Sequence, residues 1–257
     1  MSFIHDTWFI FRRQVRLVLR NPAFLTIGLL QPILYLVLFG PLLANLPAGS
    51  LSGGTGGTAD AYRFFVPGLL IQLALFGSTF VGFAIISDWR SGVIERYRVT
   101  PVSRVAILAG RVLRDVAMLI IQSIVLIVAG LAFGLRAPLP AVLMGFVYIV
   151  LVAIGLASVS YAVALTLKSE DAFAPLINSI IVPLVLLSGI MLPLNLGPGW
   201  LQGIARISPF RYIIDAMREA YAGHYFDTIV VEGLAVAVGL AAVLMWLGSR
   251  VFVRENA

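Results

Sequence analysis

The sequence predicts an all-α membrane protein with six transmembrane helices, an N-terminal interfacial amphipathic helix, and both termini in the cytoplasm. Three observations carry that prediction. First, 60% of the 257 residues are hydrophobic, 12% are charged, and the mean hydropathy is +1.01. Soluble chains are about 45–50% apolar and about 25% charged, so one small core could not hide this much apolar surface. Second, the charged residues leave six uncharged runs, and crossing a bilayer takes about 20 apolar residues. Third, thirteen basic residues fall in one set of connections between the runs and five in the other. Basic residues gather on the cytoplasmic side, which places both termini there. Six spans leave no room for an added soluble catalytic domain of roughly 100 residues, so a single domain over 1–257 is expected.

The elements follow in chain order. In residues 3–20, Trp8, Phe11, Val15 and Val18 recur at helical spacing, while Arg12, Arg16 and Arg20 form a stripe on another side with Arg13 beside it. That pattern describes a helix lying along the inner interface, apolar face in the lipid; it suits plain anchoring, or anchoring plus contact with a cytoplasmic partner. The lead-in lacks a small-residue cleavage site and does not read as a signal peptide. The spans are expected at about 23–46, 64–87, 116–135, 139–167, 172–192 and 229–250. Residues 45–62, with their SGGTGG stretch, read as a flexible outer loop, and 168–171 as a tight inner turn.

The inner loop 88–104 mixes charge with Trp89, Val93, Ile94 and Tyr97. A short helix to about Arg98 is stopped by Thr100-Pro101, since the residue before proline is pushed out of helical geometry. Ser103 then caps a helix running through Arg104, Arg111 and Arg114 into span three, with Arg111 and Asp115 spaced to pair. Apolar residues in a cytoplasmic loop mark a docking surface. Outside the membrane, segment 195–226 holds Ser208-Pro209 as a helix start. Phe210, Ile213, Ile214, Met217 and Tyr221 then form an apolar face opposite Arg211, Asp215 and Arg218. Such a helix could rest on the outer leaflet or act as a lid over an exit path.

Absences narrow the chemistry. The only lysine, Lys168, is followed by Ser169, but Leu167 and Ala162 stand where a P-loop needs glycine. No G-x-S-x-G motif is present, and His5 and His224 are expected on opposite sides of the membrane. There is no cysteine, which excludes disulfides and thiolate metal sites. The net charge of +6 fits the anionic inner leaflet rather than nucleic acid in a chain this apolar. The runs carry no Asp, Glu or His of the kind that marks ion-coupled carriers. They do carry Gln31, Tyr35, Gln72, Ser78, Thr79, Gln122, Ser123, Ser158, Tyr161, Asn178, Ser179 and Ser188, groups that most often link helices and in a minority line a path. Gly130 and Gly134 permit close helix packing, and Pro32, Pro67 and Pro183 interrupt three spans. A polytopic chain without a catalytic site, but with a partner-like inner loop, fits an energy source supplied by another subunit.

Four stretches resemble the membrane subunits of ABC type-2 exporters, close to the daunorubicin/doxorubicin-resistance permease branch. They are RRQVRLVLRNPAFL at 12–25, SGVIERYRVTPVSR at 91–104 with its continuation VAILAGRVLRD, the order of six spans, and SGIMLPLNLGPGWLQGIARISPFRYIIDAMRE at 188–219. The resemblance implies a half-transporter that pairs with a second copy or a related permease and engages a separate cytoplasmic ATP-binding subunit. That subunit would bind ATP and Mg, with no cofactor in this chain. Arg12, Arg13, Arg16, Arg90, Glu95, Arg96 and Arg98 would then be coupling residues. Gln72, Ser78, Thr79, Asn178, Ser179 and Ser188, on spans two and five, would line a path between subunits, and Arg211, Asp215 and Arg218 would belong to the family's external helical element. The inner loop opens Asp88-Trp89-Arg90 where many relatives are more acidic. The implied function is ATP-driven export of a hydrophobic or amphipathic compound such as a drug or antibiotic, in a bacterial inner or plasma membrane. Export of a glycolipid, polysaccharide or lipid stands as the alternative. Ion-coupled transport and a membrane scaffold are more distant ones.

Overall fold

A computed structural model describes residues 3–20, 23–45, 57–93, 103–190 and 198–255, and every regular element among them is a helix. Helix α1 is Phe3–Arg20, α2 Ala23–Ala44, α3 Thr58–Thr79, α4 Gly82–Arg90, α5 Arg104–Ala132, α6 Leu139–Leu167, α7 Glu170–Leu187, α8 Gly199–Ala205, α9 Pro209–Ala222 and α10 Thr228–Glu255. Six stretches are long and apolar enough to cross a membrane: Thr26–Ala44, Thr58–Arg90, Val105–Ala132, Leu139–Leu167, Glu170–Leu187 and Thr228–Arg254. The protein is thus an all-α, multi-pass membrane protein.

The helices outrun the uncharged runs. α3 begins at Thr58, ahead of Asp60 and Arg63, and continues through α4 with only Phe80 and Val81 between them. α5 begins at Arg104, well before the expected 116. A charge-free run measures only the hydrocarbon crossing, whereas charged residues continue a helix through the interface. Span five is shorter than expected. α7 ends at Leu187, and Gly189 turns the chain at φ 73°, a left-handed conformation that favours glycine, before Pro193 is reached. Ser103 and Ser208 do occupy the positions before α5 and α9, but neither hydroxyl makes a capping hydrogen bond.

α3 is the centre of the bundle, contacting α2, α5, α6 and α9, and nearly all of it from Ala61 to Leu75 is buried. α6 and α10 share the most extensive interface. A Cβ at Gly248 would fall 2.5 Å from the Ser158 carbonyl, and one at Gly155 would fall 3.2 Å from the Ala241 Cα. These small residues let the two backbones approach, as membrane helices lacking a hydrophobic driving force require. Gly130 and Gly134 do not play that part as a pair. α5 ends at Ala132, and Gly134 lies in the following turn at φ 107°.

α1 also differs from a helix whose apolar face lies wholly in lipid. It packs on α5, with Asp6, Ile10 and Gln14 buried, while Trp8 and Phe9 stay exposed. Gly110 of α5 makes room, since a Cβ there would lie 2.8 Å from the Ile10 side chain. α2 and α7 are peripheral. α7 buries Phe173, Ile177 and Ile181 and exposes Leu176, Ile180, Val182 and Leu186.

Candidate functional site

Polar groups concentrate at the two ends of the bundle. At the arginine-rich end, α1, α4, α5 and α6 meet around Arg111, Arg114 and Asp115. Arg111 is 2% exposed and pairs with Asp88 at the end of α4, Nη2 to Oδ2 2.5 Å. Arg114 donates to the neighbouring Asp115 carboxylate, to the Tyr161 hydroxyl of α6 at 3.1 Å and to Gln14 Oε1 of α1 at 3.4 Å. The Tyr161 hydroxyl in turn donates to Asp115. The expected pairing of Arg111 with Asp115 is therefore replaced. Asp115 is taken by Arg114 and Tyr161, while Arg111 reaches across to Asp88, a partner that only the tertiary fold supplies. Burying such charges is tolerable only because they are paired and hydrogen-bonded.

The inner turn joins the same end. Arg90 pairs with Glu170 at 3.1 Å, and the Lys168 ammonium lies 5.7 Å from the Trp89 ring centroid. The root of the inner loop is thus tied to the start of α7. Among the proposed coupling residues, Arg12, Arg13 and Arg16 are exposed on α1, flanking a shallow depression that Phe9 and Leu17 also line. Arg90 is exposed beside Glu170. Glu95, Arg96 and Arg98 lie outside the described residues.

At the opposite end α9 is packed into the protein rather than laid on a leaflet. Phe210, Ile213, Ile214, Met217 and Tyr221 are buried, and α9 contacts α10, α3 and α6. Gly223 ends it at φ 102°. Asp215 lies 3.6 Å from Arg211 and 3.8 Å from Arg218. Burial pushes the half-exposed Asp215 carboxyl up, against the pull of Arg218 and Arg211. Arg218 is the most constrained of the three. Its Nε donates to the Phe64 carbonyl at 3.2 Å, and its Nη2 donates to the carbonyls of Gly189 at 2.8 Å and Ile190 at 3.1 Å. The guanidinium also lies 3.6 Å from the Phe64 ring centroid, a cation–π contact. Burial lowers its pKa to about 10, with Asp215 opposing, so it stays charged at neutral pH. α9 therefore bolts the outer start of span two to the outer end of span five. Beside it is an open cavity of about 810 Å³, whose lining includes Arg63, Arg206, Arg211, Asp215, Glu219 and Glu232.

The proposed path residues are not brought together within one chain. Gln72, Ser78 and Thr79 are buried in α3, whereas Asn178 and Ser179 stand on the exposed face of α7, and Ser188 is buried at its end. Four hydroxyls are occupied by their own helices. Ser78 donates to the Ala74 carbonyl, Thr79 to Leu75 at 2.6 Å, Ser179 to Pro175 at 2.8 Å and Ser188 to Val185 at 2.7 Å. Such back-bonding satisfies the donor locally and leaves little to offer a solute.

Sequence reasoning passed over Ser160. Its hydroxyl accepts the Gly82 amide at 2.9 Å and donates to the Thr79 carbonyl at 2.5 Å, filling the break between α3 and α4 from α6. A lone serine in an apolar run gives no sign of this. It becomes visible only when the helix break is placed beside it. Glu170 was likewise read as part of a plain turn.

Comparison with known proteins places this architecture. The protein named as the transport permease ycf38 of Cyanophora paradoxa is 29% identical over 224 residues, covering 86% of this chain and 75% of that one. The ycf38 permease of Porphyra purpurea is 30% identical over 208 residues, 80% of this chain and 70% of that one. The daunorubicin resistance ABC transporter permease protein DrrB1 of Streptomyces coeruleorubidus is 28% identical over 233 residues, 89% of this chain and 79% of that one. The family model for the ABC-2 type transporter matches residues 5–221, which takes in both polar ends and five of the six spans. The chain belongs to the ABC-2 type transporter family, as a multi-pass transport permease subunit.

Proposed function

We propose that this permease is the membrane half of an ATP-driven exporter, working with a separate ATP-binding subunit and a second copy of itself, and that its cargo is a hydrophobic or amphipathic compound. The observation that supports ATP coupling is the cluster around Arg114. One guanidinium bonds α1, α5 and α6, and the adjacent Arg111–Asp88 pair adds α4. A displacement delivered to exposed Arg12, Arg13 and Arg16, or to the inner loop, would pass to three spans through buried, charge-assisted contacts rather than dissipate in a linker. Pairing with a second copy is supported by α7. Asn178 is exposed on this peripheral span with no hydrogen bond among the described residues, and a polar side chain at that depth is expected to face protein or a path rather than lipid.

For cargo, the six uncharged runs offer no charge to offset the desolvation of a strongly charged solute. The daunorubicin-resistance relative makes an amphipathic drug the first candidate. The outer cavity of about 810 Å³, with arginines and carboxylates in its wall, favours a second reading, a lipid or glycolipid whose polar head passes that cavity. The test is transport in inside-out vesicles containing this chain and its co-expressed ATP-binding subunit. ATP-dependent daunorubicin uptake is expected, and it should vanish without the second subunit. Movement of a fluorescent phospholipid with no drug uptake would select the second reading. Uptake driven by a proton gradient without the ATP-binding subunit would overturn both.

A further inference from the structure

Gln72 is only 2% exposed, and its Oε1 has no hydrogen-bond partner among the described residues. A buried carbonyl without a donor is costly anywhere and more so at membrane depth, where water is scarce. The Gln72 side chain belongs to the wall of a crevice of about 260 Å³ between α2, α3 and α5, together with Gly28, Gln31, Pro32, Phe76 and Gln122. Three glutamines from three different helices thus meet well inside their spans, in walls that are otherwise apolar.

The crevice has the features of a built site. Gly28 is small where it must be, because a Cβ there would lie 2.8 Å from the Gln122 amide nitrogen. Phe76 stacks on Phe80 with centroids 6.1 Å apart, giving an aromatic wall. Gln31 turns its amide to its own helix, donating to the Tyr35 hydroxyl at 3.2 Å, which leaves the Gln72 acceptor unserved. Ile27 and Gln31 are exposed, so the crevice opens through the surface of α2 toward lipid. Neither α7 nor the second copy is needed to form it.

We propose that this crevice is an intramembrane binding site for a ring or chain segment of a largely apolar molecule that carries one neutral hydrogen-bond donor, a hydroxyl or amide N–H, which bonds Gln72 Oε1. The donor is neutral because, among the described residues, no carboxylate lines the crevice to offset a buried cation. The segment is small. The volume exceeds the roughly 150 Å³ cavity that takes benzene, and falls below the roughly 300–1,000 Å³ of drug-sized pockets. As a cargo site it rests on the export reading; as a binding site it does not.

The experiment is equilibrium binding of 1-naphthol to the purified chain in lipid nanodiscs, with empty nanodiscs subtracted, against 1-methoxynaphthalene, which has the ring but no donor. 1-Naphthol is expected to bind saturably and roughly tenfold more tightly than the ether, the factor for one hydrogen bond. Gln72→Leu should abolish that preference without lowering the unfolding temperature, since it removes an unsatisfied polar group. Gly28→Val, which fills the crevice from the other side, should abolish binding of both probes. Equal affinity for the two probes, or a Gln72→Leu variant that still prefers 1-naphthol, would overturn the site. Binding as expected without ATP-dependent transport by the two-subunit complex would leave the site standing and remove the export reading. Transport that Gln72→Leu leaves unchanged would keep the export reading and remove the crevice's part in cargo passage.

Discussion

The Ser160 hydroxyl accepts the backbone amide of Gly82 at 2.9 Å, from a different helix 78 residues away. With its bond to the Thr79 carbonyl, one side chain satisfies two backbone groups freed where α3 gives way to α4. Ser160→Ala leaves both unserved in a buried site and is expected to cost about 1–3 kcal/mol. Ser158→Ala is the matched control, because the Ser158 hydroxyl bonds only the Ile154 carbonyl of its own helix. Thermal unfolding in detergent should show a clear drop for the first and little change for the second. Equal losses would mean that the helix break is held by packing alone.

Most of the fold was legible because span formation depends on local composition. Each uncharged run from Ala23 to Ser249 corresponds to a helix, since lipid requires that backbone groups be satisfied within the segment. The positions of Ser103 and Ser208 just before α5 and α9 were also local questions, although neither hydroxyl makes a capping hydrogen bond. The candidate site was less legible. That Arg111 would choose Asp88 over Asp115, and that Ser160 would meet Gly82, depends on which helices become neighbours, and periodicity carries no such information. Gly130 and Gly134 mislead for the same reason. Spacing suggested an interface, while the small residues that face another helix's backbone include Gly155, Gly233 and Gly248.

The Asp88–Arg111 pair should be worth far more than Arg90–Glu170 a short distance away. Arg111 is buried, and its Nε already lacks a partner among the described residues, so Asp88→Ala leaves a desolvated cation uncompensated. Removing one member of a buried pair costs about 3–5 kcal/mol, and the partly exposed Asp88 argues for the lower end. Arg90→Ala breaks an exposed pair worth about 0–1 kcal/mol. Asp88→Leu combined with Arg111→Met should recover most of the loss, because it removes the buried charge together with its partner. Unfolding temperatures of the three variants check the order.

The exposed arginines of α1 should matter to assembly and not to folding. Arg12, Arg13 and Arg16 point away from the face that buries Ile10 and Gln14 against α5. Reversing all three to glutamate is expected to leave the unfolding temperature within about 1 kcal/mol-equivalent of the parent, as for ordinary surface changes. It should reduce co-purification with the ATP-binding subunit at least tenfold. Unaltered co-purification would confine α1 to anchoring.

Arg218 should prove structurally specific in a way charge alone does not explain. Its fork reaches three carbonyl oxygens on two segments, Phe64 on one side and Gly189 and Ile190 on the other, while stacking on the Phe64 ring. Lysine carries the same charge, but as a single point of donors on a flexible stem, so it cannot serve both segments with one geometry. Arg218→Lys is therefore expected to lose one segment's carbonyls, costing about 1–3 kcal/mol for the groups left buried and unpaired. Arg218→Ala should cost more, because the stem that packs on Phe64 is lost as well. The measurement is thermal unfolding in detergent. Arg218→Lys should unfold at a lower temperature than the parent, and Arg218→Ala at a lower temperature again, because the ends of spans two and five are then no longer held to each other through α9. An unchanged unfolding temperature in both Arg218 variants would show that those ends are held by packing of α9 and not by its arginine.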